Sequence, residues 1–160
     1  MNKTLAVALI SGLVGFAAGN AFWYLASPLW INVTISESAP TTQASAPLRA
    51  GTFRDADSVH RGKGTATILE VGDGRRIARL TNFQVTNGPD LEVWLVAKRD
   101  IRSSSDVKGS RYISLGQLKG NIGDQNYDIP ANVNIDDYES IVIWCEQFGV
   151  LFSAADLKAS

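Results

Sequence analysis

Two side chains hold most of the chemistry this sequence can offer: Cys145 is its only cysteine and His60 its only histidine. A single thiol cannot form an intramolecular disulfide or a thiolate-rich zinc site, since each needs at least two cysteines. It can act as a bare redox thiol, ligate a prosthetic group, or pack as a small hydrophobe, the commonest fate of free cysteine. One histidine excludes multi-histidine metal centres. With Met1 the only methionine, a His/Met haem ligation or a blue-copper set cannot be assembled. The Asp, Asn and Glu clusters lack the calcium-loop spacing, so no metal is expected.

Ordinary enzyme motifs are missing as well. The segment Val59-His60-Arg61-Gly62-Lys63-Gly64 lacks the phosphate-loop pattern and opens no helix. There is no G-x-S-x-G elbow, and a Ser/His/Asp set would have only His60 to draw on. His60 itself reads as a solvated or hydrogen-bonded loop residue. Asp136-Asp137 and Asp156 read as turn carboxylates rather than a catalytic pair. Fifteen Lys plus Arg against sixteen Asp plus Glu give a net charge of −1, which argues against nucleic acid and acidic lipid as partners.

The elements that position these residues read as strands. From Gly51 onward, short β-branched and aromatic runs are separated by Gly, Pro, Asn and Asp clusters. Thr65 to Val71 and Arg75 to Leu80 flank Gly72-Asp73-Gly74, which predicts a hairpin. Asn87-Gly88-Pro89-Asp90 marks a second loop. It feeds Leu91 to Ala97, where only Glu92 is polar, so a central strand covered on both faces is expected. Further strands are expected near Tyr112 to Leu118, Asn126 to Ile129, Ile141 to Cys145 and Phe148 to Ser153. In Ser140 to Glu146, alternation puts Cys145 on one face with Ile141 and Ile143, and Val142, Trp144 and Glu146 on the other. Without helices for parallel crossovers, the expected fold is all-β, an antiparallel β-sandwich of two packed sheets.

The first part of the chain is different. Leu5 to Ala26 is almost wholly apolar, and no charged residue occurs from Thr4 through Ser36. As a helix these 22 residues extend about 33 Å, at about 1.5 Å per residue, enough to cross a bilayer. A cleavable signal peptide is the rival reading, with Lys3 before an apolar stretch and Ala17-Ala18-Gly19 as a cleavage region, leaving a secreted or periplasmic protein. The anchor is favoured because apolar character continues through Phe22, Trp23, Tyr24, Leu29, Trp30 and Ile31. Lys3 precedes the span, while Glu37 and Arg49 are the first charges after it, so the amino terminus is expected inside and the rest outside the cytoplasm. The expected organisation is an anchor over 1–35, a flexible Ser/Thr/Ala/Pro linker over 36–50 and a β-domain over 51–160.

Several motifs carry a resemblance. They are Gly51-Thr52-Phe53, His60-x-x-x-Gly64, Asn82-Phe83, Asn87-Gly88-Pro89-Asp90-Leu91-x-Val93-x-Leu95 and Gly116-x-Leu118-Lys119-Gly120-Asn121-x-Gly123-x-Gln125-x-Tyr127-x-Ile129-Pro130. Tyr138-x-Ser140-x-Val142-Ile143-Trp144-Cys145 follows them in the same order. Together they resemble the electron-transfer domain family called DM-thirteen, over about Gly51 to Leu157. The resemblance implies a sandwich related to the haem- and sugar-binding DOMON type. It also implies a redox role centred on Cys145, as a bare thiol or as ligand to a prosthetic group such as haem. His60 matches a second characteristic position, which makes it a candidate cofactor ligand beside Cys145.

Two functions stand against each other on these residues. One is a membrane-tethered redox or electron-transfer module working with an envelope partner. The other is a non-catalytic binding module whose loops, Asn87 to Asp90 and Asn121 to Asp124, contact carbohydrate or protein.

Overall fold

A computed structural model describes residues 2–27, 30–40, 47–72 and 74–159. Helix α1 (Lys3–Ala26) takes up the apolar stretch. Most of its described side chains are exposed, and only its last turn approaches the rest of the chain, through Tyr24. It is long and apolar enough to cross a membrane, a property it shares with signal sequences.

The rest is strand. β1 (Thr34–Ser36) is followed by β2 (Arg49–Asp55), β3 (Gly62–Val71), β4 (Arg75–Val85) and β5 (Leu91–Val96). After a one-turn helix α2 (Ser104–Lys108) come β6 (Tyr112–Gln117), β7 (Ile122–Ile129), β8 (Ser140–Cys145), β9 (Val150–Asp156) and β10 (Lys158–Ala159). The strands expected from the sequence are present within a few residues, most extending further than their apolar runs. Asp73 of the expected hairpin loop, and residues 41–46 of the expected linker, lie outside the described residues.

The strands are antiparallel apart from β1, which pairs parallel with β7. They form one ten-stranded ladder in the order β1-β7-β4-β3-β2-β9-β8-β5-β6, with β10 on β2. This differs from the expectation of two separate packed sheets. The joint is β2, whose first half pairs with β3 and whose second half, Phe53 to Asp55, pairs with β9. Bulges deepen the curl. The β3/β4 register shifts between Lys63 and Thr65, and the β4/β7 register between Leu80 and Phe83, where Gly64 (φ +112°) and Asn82 (φ +50°) turn left-handed. The sheet is therefore a curled half-barrel, and β6 at one edge comes back to touch β7 near the other.

The concave side holds the main core, including Ile68, Leu80, Phe83, Leu95, Ile141, Ile143, Cys145 and Phe152. A second cluster, Trp94, Val96, Ile101, Val107, Val142, Trp144 and Leu151, covers the convex side of β5, β8 and β9. β8 is consequently buried on both faces, with Cys145 on the inner one and Trp144 on the outer. β5 is covered on both faces as expected, yet it lies one strand in from the edge, between β8 and β6.

Candidate functional site

Because neighbouring strands run antiparallel, one end of the curled sheet collects four connections: 56–61, 86–90, 118–121 and 146–149. This loop end carries Cys145 at the close of β8, His60 in the β2–β3 connection, and the Asn87-Gly88-Pro89-Asp90 and Gly120-Asn121-Ile122-Gly123 motifs.

Cys145 is a free thiol with no exposed surface. Its Sγ donates to the carbonyl oxygen of Pro89 at 3.0 Å. The turn after it is closed by the Gly149 amide donating to the Cys145 carbonyl at 2.8 Å, with Gly149 at φ +61°. Burial pushes the thiol pKa up; the Phe148 amide, which reaches the sulfur, opposes this, and the Asp90 carboxylate adds to it. Cys145 is therefore held as a protonated thiol at neutral pH. That is the opposite of the depressed pKa that marks a reactive thiolate.

His60 sits in a tight turn built by Asp57. One Asp57 oxygen accepts from the amides of Val59 and His60, each at 2.7 Å, and the other lies 2.7 Å from His60 Nδ1. The His60 hydrogen bonds come first among the causes that hold Asp57 at about 2, so the carboxylate is ionised and the ring nitrogen facing it is the donor. In the neutral ring this leaves Nε2 as the acceptor, the orientation that a carboxylate imposes on ligand histidines. The imidazole rests on Phe152, ring centroids 4.4 Å apart.

The structure brings Cys145 and His60 to the same end but not into contact. His60 packs on Phe152, Phe152 packs under Gly88, and the Gly88-Pro89 segment covers Cys145. A single Cβ added at Gly88 would lie 2.5 Å from the Phe152 ring, so the loop is pressed directly onto it. A haem held jointly by His60 and Cys145 does not fit this packing, since the macrocycle would have to displace Phe152 and the Gly88-Pro89 loop. The other sequence candidates are engaged elsewhere: Asp136 pairs with Arg49 at 2.7 Å, Asp156 with Arg54 at 3.0 Å, and Asp137 with Arg111 at 3.5 Å.

Directly above the thiol is a groove of about 580 Å³, lined by Asn87 to Leu91, Gln117 to Asn121 and Gln147, and by Tyr24, Ser27, Ile31 and Val33 from the end of α1 and the segment after it. Pro89 therefore faces both ways, lining the groove and accepting the Cys145 hydrogen bond. The far wall is set by a buried network. Gln125 receives the Gly120 amide at 3.2 Å and donates to the Gly120 carbonyl at 2.7 Å, while Tyr127 Oη donates to Gln125 at 2.8 Å and accepts from the Lys119 amide at 3.1 Å. Burial pushes Tyr127 up to about 12, so it stays a neutral donor. The G-x-x-G-x-Q-x-Y spacing is thus the framework of this wall.

That wall also receives the chain from α1, a feature sequence reasoning missed. The Val33 amide donates to Asn121 Oδ1 at 2.7 Å, and a Cβ at Gly120 would sit 2.5 Å from the Val33 carbonyl oxygen. Glu37 then spans Lys119 Nζ and the Asn126 amide, each at 2.7 Å, and Arg79 donates to the Glu37 and Ser38 carbonyls.

A family model described as Electron transfer DM13 matches residues 52–157, which includes His60, the four loop-end connections and Cys145. No curated protein and no solved structure matches the chain.

Proposed function

Since the chain belongs to the electron transfer DM13 family, we propose that it is a membrane-tethered, extracytoplasmic electron-transfer module whose redox centre is the loop end around Cys145. The reading divides the chain into an anchor over 1–35, a linker over 36–50 and the redox domain over 51–160, with β1 reaching across the first boundary. The amino terminus lies in the cytoplasm. The DOMON relationship implied by the sequence motifs belongs to this proposal too.

The observation that carries the reading is the position of the thiol. It is fully buried, yet Pro89, whose carbonyl its sulfur meets, and Gln147, whose amide reaches the sulfur, both line a groove large enough for a small ligand or a partner's side chains. A buried protonated thiol is protected from random oxidation outside the cytoplasm, and only when something enters from the groove side does it ligate a bound group or exchange with a partner's disulfide, forming a mixed disulfide and releasing the partner's second thiol. His60 would serve a group bound on its own side of Phe152, through Nε2. A haem on Cys145 would require the Gly88-Pro89 loop to open, so none of the steps proposed here runs through one.

The test is the absorbance spectrum of the purified full chain together with titration of its thiol. A bound chromophore lost in Cys145→Ala, or a thiol consumed stoichiometrically by a redox partner, supports the reading. A colourless protein whose thiol never changes redox state contradicts it, and favours the second reading, a binding module that uses the same groove for carbohydrate or protein.

A further inference from the structure

The loop end is also the end at which the chain arrives from α1. β1 pairs parallel with β7, Thr34 opposite Ile122, and β7 begins at this end. Only residues 27–33 separate the two elements, a span of at most about 25 Å at about 3.5 Å per residue. Tyr24 and Ser27 indeed line the groove beside Asn87, Pro89 and Gln147. The far end of the connection is held firmly, because Val33, Ile35 and Glu37 are fixed to Asn121, β7, Lys119 and Asn126.

Exposed apolar side chains are distributed the same way. Outside α1 and the segment that follows it, the large hydrophobics most exposed are Val59, at 68%, and Phe148, at 64%. Val59 adjoins His60 and Phe148 is three residues past Cys145, both on loop-end connections. Among the described residues the opposite end offers only Tyr112 at 46%, and its ring stacks flat on Trp94 at 3.8 Å. Charges at the loop end are of both signs, Asp57, Asp90 and Glu146 against Arg61 and Lys119, so nothing there selects an acidic partner.

We propose that the loop end lies against the surface of the bilayer that holds α1, with Phe148 and Val59 seated in its interfacial layer. The domain is then fixed with its thiol end down, and the Asn87–Asp90 groove opens onto the lipid surface. Electron carriers that dwell in the membrane would meet the groove that covers Cys145, whereas freely diffusing proteins would meet the opposite end. This rests on α1 being retained as an anchor.

The experiment uses the full chain reconstituted in phosphatidylcholine vesicles. A fluorophore sensitive to polarity is attached at Val59→Cys, Phe148→Cys or Ala131→Cys in a Cys145→Ala background, Ala131 marking the far end. The expected result is co-flotation with the vesicles, with several-fold quenching by nitroxide-bearing lipids at 59 and 148 and none at 131. Equal quenching at all three positions in a chain that floats would overturn the proposal while leaving the redox reading intact. A chain that does not float overturns it through loss of the anchor. Should the background variant fold poorly, hydroxyl-radical footprinting of the wild-type chain in the same vesicles decides. Phe148 should be several-fold less modified than Tyr112, and equal or greater modification of Phe148 contradicts the proposal.

Discussion

The sulfur of Cys145 lies 3.0 Å from the carbonyl oxygen of Pro89, a side-chain contact that ties the Ile-Trp-Cys strand to the Asn-Gly-Pro-Asp loop beside the Glu146 amide's bond to the Asp90 carbonyl. It changes what a serine at this position would experience. An unpartnered buried hydroxyl is worth about 1 to 3 kcal/mol of desolvation, but here an acceptor is already in place. Cys145→Ser should therefore fall within about 1 kcal/mol of Cys145→Ala in urea unfolding, and a serine deficit above about 2 kcal/mol would show that the Pro89 contact is not formed.

Gly88 acts as the fit of the cover. Its substitution by valine drives side-chain atoms into the Phe152 ring and should lift the loop. The expected outcome is a folded protein whose Cys145 reacts with a soluble disulfide reagent at least tenfold faster than wild type. Unchanged labelling would mean that the loop does not control access to the thiol.

The raised thiol pKa also sets a direction for stability. With a folded value above the unfolded one, near 8.5, the contribution is fully present below that pH and is lost as pH rises through the folded value. Unfolding free energy of wild type should thus decline more steeply above about pH 8.5 than that of Cys145→Ala. Parallel curves for the two proteins would contradict a buried, protonated thiol. Asp57 acts in the opposite sense: held at about 2 against an ordinary 3.8, its turn is intact above that ordinary value and opens as pH falls toward 2, which the NMR signals of His60 would report.

Local rules made much of the domain legible. Gly72 and Gly74 signalled the β3–β4 hairpin, and two-residue alternation placed Cys145 with Ile141 and Ile143 on the inner face. The curl was not legible, because it depends on β2 changing partners halfway and on bulges at Gly64 and Asn82 whose partners are distant in sequence. β1 escaped for a similar reason: three residues, Thr-Ile-Ser, pair with a strand almost ninety positions on, too short for a period to show. At the site, the motifs named Asn87-Gly88-Pro89-Asp90 and Cys145 separately, but nothing in their spacing revealed that one covers the other.

The docking of the segment after α1 can be tested at Gly123. It has φ +102°, a conformation alanine rarely adopts, and its Cα faces the Ile35 backbone. Gly123→Ala should release β1, and limited proteolysis should then cut within 33–40 several-fold faster than in wild type. Cleavage at the same rate in both proteins would show that β1 is not held by β7.

The most direct test of the account is a potentiometric titration of the full chain in membranes, comparing wild type with Cys145→Ala after circular dichroism has shown that both are folded. The account predicts a redox transition in wild type that is absent from the variant. A folded Cys145→Ala protein that still takes up and releases electrons at the wild-type potential would contradict it.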